Sequence, residues 1–154
     1  MRQLWAPWRL AYLANPRRGG CFLCRAARSK DRRRSWVVHR GRHAMVLLNL
    51  YPYSNGHLLV APLKHVAAFG GLSDAATLEM LRLVDGFTER LRKRYRPDGF
   101  NVGANLGRAA GAGVPGHLHL HIVPRWIADT NFMPVLGGTK VISEALETTY
   151  RALT

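Results

Sequence analysis

The sequence predicts an α+β domain in which an antiparallel sheet is covered by one long helix and a C-terminal helix. Two apolar, strand-length segments, 44–50 and 56–61, are separated by a turn-like spacer at 51–55, and this arrangement predicts a hairpin. A long stretch with helical periodicity follows, and after it a segment of alternating residues at 117–124. Strands joined by a hairpin and interrupted by one helix are typical of α+β folds.

The long helix has a clear predicted start and end. Ser73 is expected to begin it, because a serine side chain caps the free N–H groups of a first turn. The helix should end before Pro97, which cannot continue it. Apolar residues recur along it at the three-and-four spacing of a buried helix face, namely Leu78, Leu81, Val84, Phe87 and Leu91.

Segments on either side of this framework are expected to complete it. Residues 21–34 predict a short knuckle or helix followed by a basic loop. Further strands are expected to start near Val37 and to cover 100–105. Ser143 is expected to cap a last helix that runs through Leu153.

Length and composition favour one domain, residues 1–154, with an ordinary core. A chain of 154 residues with 47% hydrophobic content matches a typical globular domain. No apolar run approaches the ~18–20 residues that span a bilayer, and the first residues lack the pattern of a signal peptide. Two cysteines are too few for a disulfide scaffold. These observations predict a cytoplasmic protein with no membrane partner.

The net charge of +14 is concentrated at one end of the chain. Residues 1–42 contain twelve Lys or Arg and one acidic residue, Asp31, which gives +11. The remaining residues contain eleven Lys or Arg and eight acidic residues, which gives +3. The basic segment, which also carries a Cys-x-x-Cys motif, could attract nucleic acid or another polyanion. We favour a solvated basic surface, because no stacking aromatic motif interleaves with the basic run.

The densest chemical signal is the segment His117-Leu-His-Leu-His-Ile-Val-Pro-Arg125. Side chains alternate along a strand, so His117, His119 and His121 are expected to project from one face. Three such imidazoles suit either a zinc site or nucleophilic catalysis at phosphorus. The glycine-rich loop at 107–116 favours phosphate chemistry, because bare backbone N–H groups can approach a phosphate closely.

These histidines resemble the alternating pattern of the histidine-triad (HIT) superfamily, and the similarity extends over nearly the whole chain. Residues 49–60 resemble the family's nucleoside-pocket hairpin. Residues 100–105 and 124–132, with the opening Trp5-Ala-Pro-Trp-Arg9, are similar to a bacterial branch that includes diadenosine tetraphosphate phosphorylases. The resemblance implies a HIT-like fold and an enzyme that acts on a nucleoside 5′-phosphate ester or anhydride.

The resemblance also implies a role for individual residues. His119 would attack the α-phosphorus of a nucleotide and form a transient nucleotidyl-histidine, His121 would hydrogen-bond the α-phosphate, and His57 would orient the triad. The implied nucleotide-binding residues are Asn49, Asn105, Gly107, Gly111, Gly113, His121 and Trp126. The alternatives are a hydrogen-bonded core histidine for His57, and turn or strand-end hydrogen bonding for the two asparagines.

Gly113 departs from the family pattern. Relatives often carry Ser or Gln four residues before the first histidine, where it contacts phosphate or the leaving group. Here the leaving group would have to be stabilised by backbone N–H groups, Arg108 or another residue. The second substrate therefore stays open. Phosphate would give ADP and ATP from diadenosine tetraphosphate, whereas water would give AMP and ATP.

Cys21-Phe-Leu-Cys24 has the spacing of a zinc knuckle, but two thiolates supply only half of a tetrahedral site. Resemblance to zinc-bearing triad proteins nominates His65 and His117 as the other ligands. A closed Cys₂His₂ site would make the zinc structural, and no organic cofactor is implied. A redox pair and two buried free thiols are the alternatives, although no thioredoxin-like pattern supports the redox pair.

By resemblance, the chain would form a two-fold homodimer and take an adenine-containing nucleotide. Trp126 and Phe132 could line a nucleotide pocket or a dimer seam, and the N-terminal Trp5, Trp8 and Tyr12 could contribute or simply pack on the sheet. The alternative functions are phosphoramidate hydrolysis, adenylyl sulfate hydrolysis, and a non-catalytic module that binds nucleotide or nucleic acid.

Overall fold

A computed structural model of the protein describes residues 20–129 and 142–154. Trp5, Trp8, Tyr12 and Phe132, for which contacts are predicted above, lie outside the described residues. Within the described ranges the chain forms three α-helices, a 3₁₀ turn at Phe69–Gly71 and five strands. The helices are α1 (Phe22–Arg28), α2 (Asp74–Tyr95) and α3 (Leu146–Leu153), and the strands are β1 (Val37–Arg40), β2 (Ala44–Leu48), β3 (Leu58–Pro62), β4 (Gly99–Gly103) and β5 (Leu120–Arg125).

The five strands form one antiparallel sheet in the order β1-β2-β3-β5-β4. β2 and β3 are the predicted hairpin, with Ala44 opposite Pro62. β5 lies between β3 and β4, and its His121 is opposite Leu59 of β3. The predicted α+β class is confirmed, and the histidine segment leads into a strand that is paired on both sides.

The strands β2 and β3 are buried along their whole length because both faces of the sheet are covered there. Val46 and Val60 pack in a core with residues of α2 and α3. Met45 and Leu59 pack in a second core with residues of α1. This double cover explains why both strands are continuous apolar runs rather than alternating ones. Each fully buried aliphatic side chain contributes roughly 1.5–3 kcal/mol to stability.

Helix α2 begins and ends where the sequence predicts. Ser73 Oγ accepts a hydrogen bond from the Ala76 N–H at 3.3 Å, which caps the first turn. Arg96 ends the helix in the left-handed conformation, with φ of 48°, directly before Pro97. Local capping and breaking signals therefore determine both ends of this helix.

The prediction that Leu78 and Leu81 belong to the buried face of α2 is wrong. Their side chains are 49% and 56% exposed, respectively. The predicted Phe87 and Leu91 are buried, and Ala76 and Met80, which were not predicted, complete the buried stripe. Leu78 and Leu81 satisfy the periodicity but lie on the flank of the helix, because spacing alone does not determine which stripe the sheet covers.

The segment before β5 differs from the predicted strand. β5 begins at Leu120, so His117 and His119 precede the strand and are not paired in the sheet ladder. Strand β4 ends at Gly103, two residues before the predicted end. The loop that joins β4 to β5 is therefore longer than predicted, and it carries two of the three histidines.

The predicted cap of the last helix is also wrong. Ala145, rather than Ser143, is the N-cap residue of α3. Ser143 Oγ instead accepts a hydrogen bond from Asn55 Nδ2 at 2.7 Å. Its hydroxyl is thus used to join the C-terminal segment to the loop before β3. Over the two described ranges, no helix is both long and apolar enough to cross a membrane.

Candidate active site

Three of the predicted histidines come together around the paired strands β3 and β5. His57 directly precedes β3, His119 directly precedes β5, and His121 lies in β5. The ring centroids of His57 and His121 are 5.1 Å apart, as are those of His119 and His121. His117 is not part of this group, because its side chain joins the two cysteines instead. We call His57, His119 and His121 the histidine group.

The turn before His57 is held closely against α2. Gly56 has a φ of +73°, which favours glycine, and a Cβ there would lie 3.0 Å from Leu91 Cδ2 and 3.3 Å from Tyr95 Cε2. Tyr95 is itself fixed by a hydrogen bond from its hydroxyl to Glu144 Oε2 at 2.6 Å. This packing fixes the position of His57 at the start of β3.

The proton on the His119 ring is placed by a backbone carbonyl. His119 Nδ1 lies 2.8 Å from the carbonyl oxygen of His117, and both groups are buried. A carbonyl only accepts hydrogen bonds, so Nδ1 must carry the proton and donate it. In the neutral ring, Nε2 is then left with a free lone pair. This is the nitrogen that a nucleophilic histidine needs.

A chain of hydrogen bonds places the proton of His121 on Nε2, whereas the proton of His119 is on Nδ1. The backbone N–H of Tyr53 donates to His57 Nδ1 at 3.0 Å, so the proton of His57 is on Nε2. His57 Nε2 lies 2.9 Å from His121 Nδ1 and therefore donates to it. The proton of His121 is thus on Nε2, which is buried and has no hydrogen-bond partner among the described residues. This N–H is available to an acceptor such as a phosphate oxygen.

Burial keeps both His57 and His121 uncharged. Together with the nearby His121 and His119, which add smaller shifts, burial lowers the pKa of His57 to about 3. Burial also lowers the pKa of His121 to about 4, with His119 adding to the shift. Both rings are neutral at pH 7. Hydrogen bonding rather than charge therefore decides what each ring donates or accepts.

Asn49, the predicted ribose-binding residue, lies beside the histidine group. Its Oδ1 accepts a hydrogen bond from the Tyr51 N–H at 3.0 Å, and its Nδ2 lies 3.3 Å from His57 Nδ1. These contacts are those of the turn, the alternative that the sequence left open for this residue. They also place Asn49 next to His57, so the two interpretations are compatible.

The loop between β4 and β5 carries the other predicted phosphate contacts. Gly107 and Gly111 both have φ of +82°, which favours glycine. Gly113 is exposed, and a Cβ there would have open space around it. Asn105 lies at the start of this loop, two residues beyond β4. The loop leads directly to His117, two residues before His119.

Trp126 follows β5 directly and is half-buried. Its backbone N–H donates to Asp129 Oδ2 at 3.3 Å. The same carboxylate accepts from Arg125 Nε at 2.6 Å, in a bridge that also uses its second oxygen. These bonds fix the turn that follows β5. Trp126 lies in this turn, five residues after His121 in the sequence.

The four predicted metal ligands form a separate cluster, which we call the cysteine–histidine cluster. One ligand atom from each of Cys21, Cys24, His65 and His117 lies within 4.8 Å of every other. His65 Nδ1 is 3.2 Å from both Cys24 Sγ and His117 Nδ1, and Cys21 Sγ is 3.3 Å from His117 Nδ1. A tetrahedral zinc bound by two thiolates and two imidazoles holds its ligand atoms roughly 3.3–3.8 Å apart. The spacing of the cluster fits such an ion.

The orientation of His117 also fits a metal. Its Nε2 lies 2.9 Å from the Pro62 carbonyl oxygen, so Nε2 carries the proton and Nδ1 directs its lone pair into the cluster. Burial lowers the pKa of His117, which keeps this ring neutral. Burial raises the pKa of the Cys24 thiol, and the adjacent Cys21 adds to this effect. A bound cation would offset the cost of ionising both thiols.

Sequence reasoning did not identify which backbone groups determine these orientations. They are the Tyr53 N–H and the carbonyls of His117 and Pro62. It also missed the Tyr53 ring, which stacks on His121 with centroids 5.8 Å apart. No residue type identifies a backbone group, so the sequence holds no direct signal for them. Tyr53 lies within residues 49–60, which resemble the nucleoside-pocket hairpin, but no role was predicted for Tyr53 itself.

Comparison with known proteins agrees with this arrangement. The HIT domain family model matches residues 31–126, which contain the whole histidine group. The chain is 37% identical to the AP-4-A phosphorylase of Mycobacterium tuberculosis over 161 aligned residues, which cover 99% of this chain and 83% of the relative. It is also 37% identical over 82 residues to an adenosine 5′-monophosphoramidase of Schizosaccharomyces pombe, with 53% and 58% coverage.

Solved structures share the fold. A hypothetical histidine triad nucleotide-binding protein from Sulfolobus tokodaii gives a TM-score of 0.68 at 25% identity and covers 86% of this chain and 89% of that protein. A zinc-bound histidine triad family protein from Mycobacterium smegmatis gives 0.68 at 23% identity, with 87% and 90% coverage. These likenesses confirm the predicted HIT-like fold, and the mycobacterial phosphorylase supports a nucleotide-processing activity. With a family model that matches more than half of its residues and a relative that aligns along nearly its whole length, the chain belongs to the HIT domain family.

Proposed function

We propose that this chain is an enzyme that acts at the α-phosphorus of dinucleoside polyphosphates such as diadenosine tetraphosphate. The pairing of His119 with His121 carries the proposal. His119 offers a lone pair at Nε2, and the neighbouring His121 offers a buried N–H at its own Nε2. A lone pair beside an unused donor is the arrangement that attack on a phosphate requires.

The reaction would proceed in two displacements. His119 Nε2 attacks the α-phosphorus, the bond to the bridging oxygen breaks, and the leaving nucleotide departs with that electron pair. His121 Nε2–H donates to a non-bridging oxygen, where negative charge develops. Water or phosphate then attacks the nucleotidyl-histidine, the P–N bond breaks, and its electron pair returns to His119 Nε2. When water is the attacking group, its proton is released to solvent. The Nδ1–H bond to the His117 carbonyl stabilises the cationic ring of the intermediate.

The residues around the histidine group are proposed to hold the nucleotide. Asn49, next to His57, would bind the ribose, and Asn105 would lie near the scissile phosphate. The exposed loop with Gly107, Gly111 and Gly113 would lie against the phosphates. The Gly111 N–H already donates to the Arg108 carbonyl at 3.0 Å, so this group would not be one of the phosphate donors. Trp126 would contact the base or sugar. Adenine as the base is supported by the names of the two enzymes to which the chain is similar.

Phosphate is the second substrate that we propose, because the relative that aligns along nearly the whole chain is a phosphorylase. The test is chromatography of the products from diadenosine tetraphosphate, with and without inorganic phosphate. ADP and ATP that appear only with phosphate would support phosphorolysis. AMP and ATP in both samples would show a hydrolase. If neither reaction occurs, phosphoramidates and adenylyl sulfate become the substrates to test.

We also propose that the cysteine–histidine cluster binds zinc. The support is the spacing of four ligand atoms and the lone pair that His117 directs into the cluster. All four ligands come from the protein, so a zinc ion there would crosslink α1 to the segments that carry His65 and His117. The ion would be structural and would take no part in the displacement at phosphorus.

A homodimer is the assembly that we propose, and exposed apolar residues support it. Leu78 and Leu81 on α2 and Val102 on the edge strand β4 are each about half exposed. Exposed strand edges and exposed apolar side chains are each common at sites of self-association. Light scattering should give twice the monomer mass, and Leu81→Glu should lower it towards the mass of a monomer. A wild-type monomer at micromolar concentration would contradict the proposal.

A further inference from the structure

His117 contributes to both sites, through different atoms. Its imidazole Nδ1 belongs to the cysteine–histidine cluster, 3.3 Å from Cys21 Sγ and 3.2 Å from His65 Nδ1. Its backbone carbonyl accepts the proton of His119 Nδ1 at 2.8 Å. The residue that fits a metal is therefore the residue whose carbonyl selects the tautomer of His119.

The peptide group that performs this selection is not held by the sheet. The His117 carbonyl and the Leu118 N–H belong to one peptide group, which precedes β5. On its other side, the Leu118 N–H donates to the Val66 carbonyl at 2.6 Å. Val66 directly follows His65, a second member of the cluster. The peptide group is therefore linked to the cluster at both ends. Its carbonyl belongs to His117, a cluster residue, and its N–H is bonded to the residue that follows His65, another cluster residue.

His121 has no such attachment. Its tautomer is determined by His57 and the Tyr53 N–H, and His121 is paired in β5 on both sides. The two reactive histidines are therefore oriented by independent means. One depends on the cysteine–histidine cluster, and the other depends on the hairpin turn and the sheet.

We propose that His117 is a positioning residue for His119, and that metal binding by the cysteine–histidine cluster holds the His117–Leu118 peptide group so that His119 keeps its proton on Nδ1. Without the metal, the peptide group can rotate and His119 can carry its proton on Nε2, which leaves no lone pair there for attack. This inference rests on the zinc site and the nucleophile that are proposed above.

The test is nitrogen NMR of the full chain labelled with ¹⁵N-histidine, at one fixed pH near neutrality. The zinc-loaded protein should show His119 only as the Nδ1–H tautomer. Removal of zinc by a chelator should give a mixture of tautomers at His119, while His121 stays Nε2–H. The His121 signals also report, in the same sample, that the sheet is still folded.

A variant provides the second readout. Cys24→Ser weakens the cluster without altering residues 117–121, and it should lower kcat about 10-fold or more with little change in KM, because the nucleotide contacts remain. The His119 signals of this variant should show the same mixture of tautomers. Lys30→Ala, an exposed change beyond the end of α1, is the control and should leave kcat and the tautomers unchanged.

The possible outcomes distinguish failure of this inference from failure of the proposed zinc site. If zinc binds and its removal leaves His119 entirely Nδ1–H, the coupling is overturned while the zinc site stands. If metal analysis finds no zinc in protein supplied with it, both the zinc site and the coupling are overturned. If Cys24→Ser raises KM at constant kcat, the cluster shapes nucleotide binding instead. The NMR result does not depend on which substrate the enzyme uses.

Discussion

The histidine group and the cysteine–histidine cluster use the same kind of side chain in opposite ways. In the cluster, four ligand atoms converge on one point within 4.8 Å of one another. In the histidine group, hydrogen bonds occupy one nitrogen of His119 and one of His121, and the Nε2 atom of each ring has no hydrogen-bond partner within residues 20–129 and 142–154. The first arrangement can be completed by a single ion, whereas the second is completed only by a substrate.

The difference shows that the hydrogen bond made by one ring nitrogen of a histidine determines what the other ring nitrogen can do. His117 and His119 are two residues apart, and each donates to a backbone carbonyl. His117 donates through Nε2, which leaves Nδ1 for the metal, and His119 donates through Nδ1, which leaves Nε2 for phosphorus. The predictions below test this division, from the largest expected effect to the smallest.

Removal of the free lone pair of His119 should have the largest effect. His119→Asn should lower kcat by about 10⁴-fold or more, because an asparagine amide has no ring nitrogen with a lone pair to attack phosphorus. Turnover of diadenosine tetraphosphate measures the loss, and circular dichroism checks the fold. His39→Asn, a histidine outside both sites, is the matched control. A variant that keeps more than a tenth of the activity would refute His119 as nucleophile.

Removal of the donor on His121 should have the next largest effect. His121→Ala should lower kcat by roughly 10²–10³-fold, the usual cost of losing one donor to a developing negative charge. His121→Gln offers an amide N–H and should recover part of this loss. Steady-state kinetics on both variants measures the difference. Equal kcat for the Ala and Gln variants would show that the N–H is not used in the transition state.

Zinc removal should affect stability more than the substitutions in the histidine group do. A structural ion at a concentration of 1,000 times its Kd stabilises a fold by about 4 kcal/mol, which corresponds to roughly 10 °C in Tm for a chain of this length. Scanning calorimetry with and without a chelator measures the shift. His119→Asn should show the same shift as the wild type. No change in Tm after chelation would argue against a structural zinc.

The pH dependence of stability should separate the two sites further. The pKa of His57 falls from 6.5 to about 3 on folding, so the unfolded chain takes up a proton first as pH decreases. Stability should therefore be complete above pH 6.5 and fall below it. His57→Asn should reduce the slope by up to about 1.4 kcal/mol per pH unit between pH 6 and 4, as urea unfolding would show. Both proteins keep the cluster, so loss of zinc in acid affects them equally, and parallel curves would contradict the assignment.

Much of the fold follows from local patterns in the sequence. The hairpin of β2 and β3 and both ends of α2 match their predicted places, since turn residues, Ser73 and Pro97 act over a few positions. The exposed Leu78 and Leu81 do not, because the stripe that faces the sheet depends on packing across the chain. Ser143 fails for a similar reason, since a distant partner, Asn55, uses its hydroxyl.

The candidate site likewise has features that the sequence predicts and features that it does not. The sequence predicts that Cys21, Cys24, His65 and His117 come together, and the structure shows that they do. It does not predict which nitrogen of each ring is free, because backbone carbonyls and an N–H from other segments decide this. The roles of Asn105 and Trp126 stay predictions, as their positions are compatible with nucleotide binding but show no contact that requires it.

Two glycines near the site differ in how freely they can change during evolution. Gly56 is enclosed by Leu91 and Tyr95 and has a backbone conformation that favours glycine, so nearly every mutation there would displace His57. A Cβ added at Gly113 would meet no atom within 4 Å, so the first atom of a side chain is tolerated there. If Gly113 lies on the leaving-group side of the site, as the family resemblance implies, a lineage can alter that side by single substitutions at Gly113 while the histidine geometry stays fixed. Libraries built at Gly113 should yield altered substrate preference, whereas libraries at Gly56 should yield mostly inactive protein.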